Sequence, residues 1–123
     1  MATGALIAES LLLNVALEGI PLEARKITRL GPLDTVSPAQ PNVWTFIEFF
    51  VADEHASKLA EVLAQVLDPD LGWYCDYRTE HETFVVFSGR IFRYPRGDPA
   101  GREEAASHAR AVGVPERQID WPE

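Results

Sequence analysis

The most strand-like run of the chain is Val43–Ala52, VWTFIEFFVA, which is apolar on both of its alternating faces. As a strand it sends Val43, Thr45, Ile47, Phe49 and Val51 to one side and Trp44, Phe46, Glu48, Phe50 and Ala52 to the other. Aromatic residues on both sides predict a central strand that is covered twice. A helix follows, with Asp53 as N-cap, Glu54 in the first turn and Leu59, Val62, Leu63, Val66 and Leu67 at helical spacing, closed by Asp68-Pro69. Gly72–Thr79 and Thr83–Tyr94 read as the arms of a hairpin joined through Glu80-His81-Glu82, with Gly89 marking a bulge in the second arm. Asp98-Pro99 starts a second helix that reaches about Val112 and stops at Gly113. The tail Val114–Glu123 is expected to dock through Ile119 and Trp121, because a wet indole leaves a large apolar area unburied.

Upstream the pattern is weaker. Within residues 1–18, the apolar residues of Ala5–Leu17 come in clumps that fit either a helix over Leu6–Leu13 or a buried strand over the same residues. Gly19-Ile20-Pro21 breaks that segment, and Leu22–Leu30 alternates Lys and Arg with apolar residues as a sheet border does. Pro32, Pro38 and Pro41 hold the connector Gly31–Asn42 in turn and extended conformations. From the central strand onward the order is strand, helix, strand, strand, helix, which is a ferredoxin-like unit lacking its last strand, and Leu22–Leu30 can supply that strand from upstream. The expected fold is therefore α+β: a ferredoxin-like antiparallel sheet of four or more strands, in a circularly permuted form, with two helices on one face. Its expected spatial order is Leu22–Leu30, Val43–Ala52, Thr83–Tyr94, Gly72–Thr79.

Composition narrows the function classes. A chain of 123 residues that is 46% hydrophobic fits one α+β domain over residues 1–123. A formal charge of −8 argues against nucleic acid and anionic membrane as partners and favours a basic one. One cysteine makes no internal disulfide, the N-terminus has no basic run before its apolar residues, and no stretch approaches the ~18 apolar residues of a membrane span. These features read together as a cytoplasmic protein.

Candidate chemistry gathers on the sheet face that the helices leave open. Pairing the hairpin symmetrically about His81 places Trp73, Cys75, Tyr77, Val85 and Phe87 toward the helices. Tyr74, Asp76, Arg78, Phe84, Val86 and Ser88 then join Trp44, Phe46, Glu48 and Phe50 on the open face. So apolar a surface is expected to be covered, by a second copy of the chain or by Ala5–Leu17 folded across it, with a homodimer the preferred cover. Glu48 lies between Phe46 and Phe50 on its own face, where a carboxylate is either desolvated, with a raised pKa suited to a general base, or paired with an arginine. Asp76 and Arg78 should stand two strands away, about 10 Å at the usual spacing of about 4.8 Å, so that Glu48 and Asp76 are the candidate catalytic carboxylates.

Other groups point to less. Cys75 reads as a buried thiol, and His55, His81 and His108 lack metal-ligand spacing, so neither a metal nor another cofactor is expected. Arg90, Arg93 and Arg96 form the one local excess of positive charge and are a candidate anion site. Alternation sends the first two to opposite faces, and Asp98, Glu103 and Glu104 nearby favour surface ion pairs instead. Three readings of function remain. The first is a non-catalytic homodimeric module that binds a protein or small molecule through its sheet; the second is a small cofactor-independent enzyme with Glu48 or Asp76 as base. The third is an inhibitor or immunity-type protein that neutralises a basic partner.

Overall fold

A computed structural model describes residues 1–34 and 40–123; the rest of the expected connector, Pro38 included, lies outside the described residues. Among the described residues there are six strands: β1 (Ala2–Ile7), β2 (Glu23–Leu30), β3 (Trp44–Val51), β4 (Tyr74–Arg78), β5 (Glu82–Phe87) and β6 (Arg90–Pro95). Helix α1 (Ala56–Val66) lies between β3 and β4, and α2 (Pro99–Ala111) follows β6. The strands form one antiparallel sheet in the order β2-β3-β1-β4-β5-β6. Among the described residues no helix is long and apolar enough to cross a membrane.

The N-terminal segment is neither a helix nor a cover for the open face. It is a strand that begins at Ala2 and inserts between β3 and β4, pairing Ala5 with Glu48 on one side and with Asp76 on the other. Small residues permit this placement: a Cβ on Gly4 would stand 2.5 Å from Tyr77 Cβ and 2.6 Å from the Asp76 carbonyl oxygen. The expected order, in which the hairpin packs directly beside the central strand, is corrected accordingly. β2 does form the sheet border beside β3, and nearly all its residues are exposed.

The helices lie on opposite faces of the sheet, not on one. Leu59, Leu63 and Val66 of α1 pack with Leu6, Phe49, Val51, Cys75, Tyr77, Phe84 and Val86. Ala105, Ala106 and Ala109 of α2 pack with Val85, Phe87, Phe92 and Tyr94, and the docked tail adds Val114, Ile119 and Trp121 to that second core. The division follows from a register one residue away from the symmetric pairing, with Tyr77 opposite Phe84 and Tyr74 opposite Phe87. The turn sets it. Thr79 N donates to the Glu82 carbonyl, and Thr79 Oγ1 accepts from His81 N and Glu82 N, leaving a loop of Glu80 and His81 alone. A one-residue change of register exchanges the faces of every side chain on the strand, so Val85 and Phe87 point to α2 while Phe84 and Val86 point to α1.

Two other boundaries differ from expectation. Gly89, at φ +68°, is the turn between β5 and β6 and not a bulge within one long arm. Asp53 does not cap α1: Asp53–His55 is a 3-10 turn, and the Asp53 carboxylate meets the N-terminal ammonium at 3.1 Å. Asp98 does cap α2, accepting from Ala100 N at 3.2 Å. The tail docks as its composition predicts, with Ile119 and Trp121 buried.

Candidate functional site

α2 and the tail cover only the β4-β5-β6 end of their face, leaving the same face open over β2, β3 and β1. Cross-strand pairing arranges the open part in rows. One row runs Lys26, Glu48, Ala5, Asp76; a neighbouring row runs Glu23, Phe50, Thr3, Arg78. Glu48 and Asp76 thus share a face two strands apart, as expected from the sequence, though the strand between them is β1. Between these rows β1 contributes only the small Thr3 and Ala5, so a trough forms between the β3 aromatics and the β4 polar residues.

The trough has two parts. Arg25, Lys26, Phe46, Glu48, Phe50, Asp76 and Arg78 line a shallow depression of about 740 Å³. A narrower cleft of about 290 Å³ lies between Trp44, Phe46 and Ile7 on one side and Tyr74, Gln118 and Asp120 on the other. Asp76 borders both. Half-buried Trp44 leans edge-on against Trp73 at 5.2 Å between centroids and donates its indole N–H to the Pro41 carbonyl at 2.8 Å, which fixes the aromatic wall.

Asp76 is the perturbed carboxylate of the site. Burial pushes its carboxyl up to about 6, the charge of Asp120 adds to the rise, and Arg78 opposes it. No side-chain hydrogen bond or ion pair joins Asp76 to another of the described residues. Tyr74 stands beside it as a hydrogen-bond donor, giving its hydroxyl to the Gln118 carbonyl and, at 3.3 Å, to Asp120 Oδ1. Burial and the charges of Asp120 and Asp76 raise its pKa far above the ordinary phenol range, so it holds its proton.

Several expected site residues stand elsewhere. Glu48 is not buried: its side chain is 51% exposed, with Lys26 Nζ 3.8 Å away across the β2–β3 ladder. The expected arginine partner is therefore a lysine of this chain. Phe84 and Val86 are in the core beneath α1, because the hairpin register turns them there, and Ser88 belongs to the β5–β6 turn, outside the lining of the trough. Arg90, Arg93 and Arg96 do not converge. Arg90 lies over Phe92 at 4.9 Å, Arg93 forms a two-bonded fork with Glu82 and also donates to Ser57, and Arg96 donates to the Thr79 and Glu80 carbonyls. The Arg93 ion pair is made with Glu82 across the β5–β6 ladder, not with the acids of α2. Cys75 is buried, and that burial raises its thiol pKa well above the usual range.

Three positions carry weight that the sequence did not signal. Asp120 and Gln118 enter the cleft because the tail docks against β4, which depends on tertiary packing alone. Glu9 ends the β1–β3 ladder, its carboxylate accepting from Thr45 N at 2.5 Å and Thr45 Oγ1 at 2.9 Å. Burial works against ionisation of Glu9, but those hydrogen bonds outweigh it and hold the carboxyl below its ordinary value. A lone glutamate in a clump of apolar residues, followed by a β-rich segment, was the only available sign of it. The chain matches no family model, no curated protein and no solved structure.

Proposed function

We propose that the chain is a non-catalytic binding module that seats a small ligand where the open part of the sheet meets the C-terminal tail. The observation that carries this reading is the cleft of about 290 Å³ bounded by Trp44, Phe46, Tyr74 and Asp76, a concavity with an aromatic wall facing a polar one. An enzyme needs more than the site offers. Glu48 is two strands from Asp76 and close to Lys26, Tyr74 is held as a donor to the tail, and Asp120, the other carboxylate at the cleft, already accepts from Tyr74. A fragment screen followed by amide and indole NMR tests the reading: binders should move the Trp44 indole and Asp76 amide signals together. A library whose hits perturb other surfaces alone rejects it.

A second copy of the chain as cover for the wider depression is a further reading, supported by the balance of charge there. Arg25, Lys26 and Arg78 face Glu23, Glu48 and Asp76 around half-buried Phe46 and Phe50, a surface able to complement itself under a two-fold axis. Sedimentation of Phe50→Glu checks it. A dimer should become a monomer, and a mass unchanged by the substitution removes this reading while leaving the cleft untouched.

A further inference from the structure

We propose that the cleft selects an organic cation, a protonated amine on an aromatic or branched aliphatic body, with the ammonium against Asp76 and the body against the wall that Trp44 and Phe46 form together. The inference rests on the cleft being a ligand seat and adds the chemical class of the ligand. Three features of the cleft favour it. Its volume of about 290 Å³ corresponds to about ten water volumes, room for a ring and a short arm. One wall is aromatic, Trp44 and Phe46 packed side by side with centroids 6.2 Å apart, a surface to which a cation is drawn. Asp76 sits at its border with no partner among the described side chains, and the Asp120 carboxylate lies across the cleft.

The charged neighbours leave that end acidic. On β4, Arg78 lines the wider depression and acts on Asp76 by its charge, without a hydrogen bond or ion pair to it; on β2 and β3, Lys26 and Glu48 face each other at 3.8 Å. Arg117 also lines the cleft, but its guanidinium donates to the Asp34 carbonyl at 3.3 Å, toward the connector. An incoming ammonium gives Asp76 the partner that it lacks, whereas an incoming carboxylate meets both Asp76 and Asp120. The chain's charge of −8 raises the local concentration of cations in the same sense.

Three probes of one shape decide the matter: 2-phenylethylamine, 2-phenylethanol and 3-phenylpropanoate, titrated at pH 7.5 and followed through the Trp44 indole and Tyr74 and Asp76 amide signals. The amine should bind at least about tenfold more tightly than the alcohol, the size of one desolvated charge contact, and the carboxylate should not bind. Asp76→Asn should remove that preference while leaving alcohol binding in place, and Asp120→Asn should reduce it less. If the alcohol or the carboxylate binds as well as the amine, the charge selection is overturned and the ligand seat stands. If none of the three moves these signals at about 10 mM, the reach expected of fragments this small, the ligand seat falls as well.

Discussion

Replacing Asp76 by asparagine should make the protein more stable at neutral pH, which is the reverse of what most buried substitutions do. The folded chain raises this carboxyl from 3.8 to about 6, so the folded state holds the proton more tightly than the unfolded state does. Stability of the unaltered protein therefore falls as pH rises from about 4 to about 6 and levels off above that, where Asp76 is charged in both states. A shift of about two units, at about 1.4 kcal/mol per unit, sets an upper limit of about 3 kcal/mol for the charge penalty. Partial exposure of the carboxylate lowers the expected gain to about 1–3 kcal/mol. Asparagine has nearly the same shape and no charge to desolvate. Urea unfolding followed by tryptophan fluorescence should show the two proteins together near pH 4 and separated by about 0.5–2 M in midpoint at pH 7.5, for a typical urea slope. A variant that is equally or less stable at pH 7.5, or whose difference does not change with pH, refutes the reasoning. Read beside the probe titrations, a gain in stability joined to a loss of amine preference would identify Asp76 as a charge kept for binding and not for folding.

Other substitutions test the architecture. Gly4→Ala should destabilise by about 2 kcal/mol or more, because its methyl meets Tyr77 and Asp76 backbone at 2.5–2.6 Å and β1 cannot move away without breaking a ladder; thermal melting checks this. Glu9→Gln should lose about 1–2 kcal/mol at pH 7, since the bonds from Thr45 then reach an uncharged acceptor. The Glu9 contribution is fully present above the ordinary carboxylate value of 4.5 and is lost as pH falls through its lower folded value, so the two proteins should converge in acid when unfolding is measured across pH. Cys75 should resist a thiol reagent in the folded protein and react at the rate of a free thiol in urea; fast labelling without denaturant would contradict its burial.

Much of the half of the fold around β3 was legible, because β3 carries aromatic residues on both sides and β2 alternates charge with apolar residues in the manner of a border. β1 was not. Ala-Thr-Gly-Ala has little side-chain bulk with which to announce a strand, and those same small residues let it fit between β3 and β4. The second core was hidden for a different reason. In Thr83–Phe87 every residue is buried, so neither alternate set is marked as outward and the pattern cannot say which set meets which helix. A single threonine hydroxyl at position 79, invisible to periodicity, sets that phase. The candidate site was half legible on the same terms. Glu48 and Asp76 share a face as the alternation of β3 and β4 required, whereas Asp120 reached Asp76 only through the docking of a tail whose sequence announced an anchor, Trp121, but not a position.

The place of β1 makes the molecule a zip with a single slider. β2 and β3 form one leaf, β4, β5 and β6 another, and among the described strands β1 alone hydrogen-bonds to both. A chain starting after Ile7 would expose two raw ladder edges facing a slot one strand wide, and the hexapeptide Ala-Thr-Gly-Ala-Leu-Ile supplied separately has the register to fill it. The protein thus lends itself to being split at that point, with reassembly of the leaves reporting on the peptide.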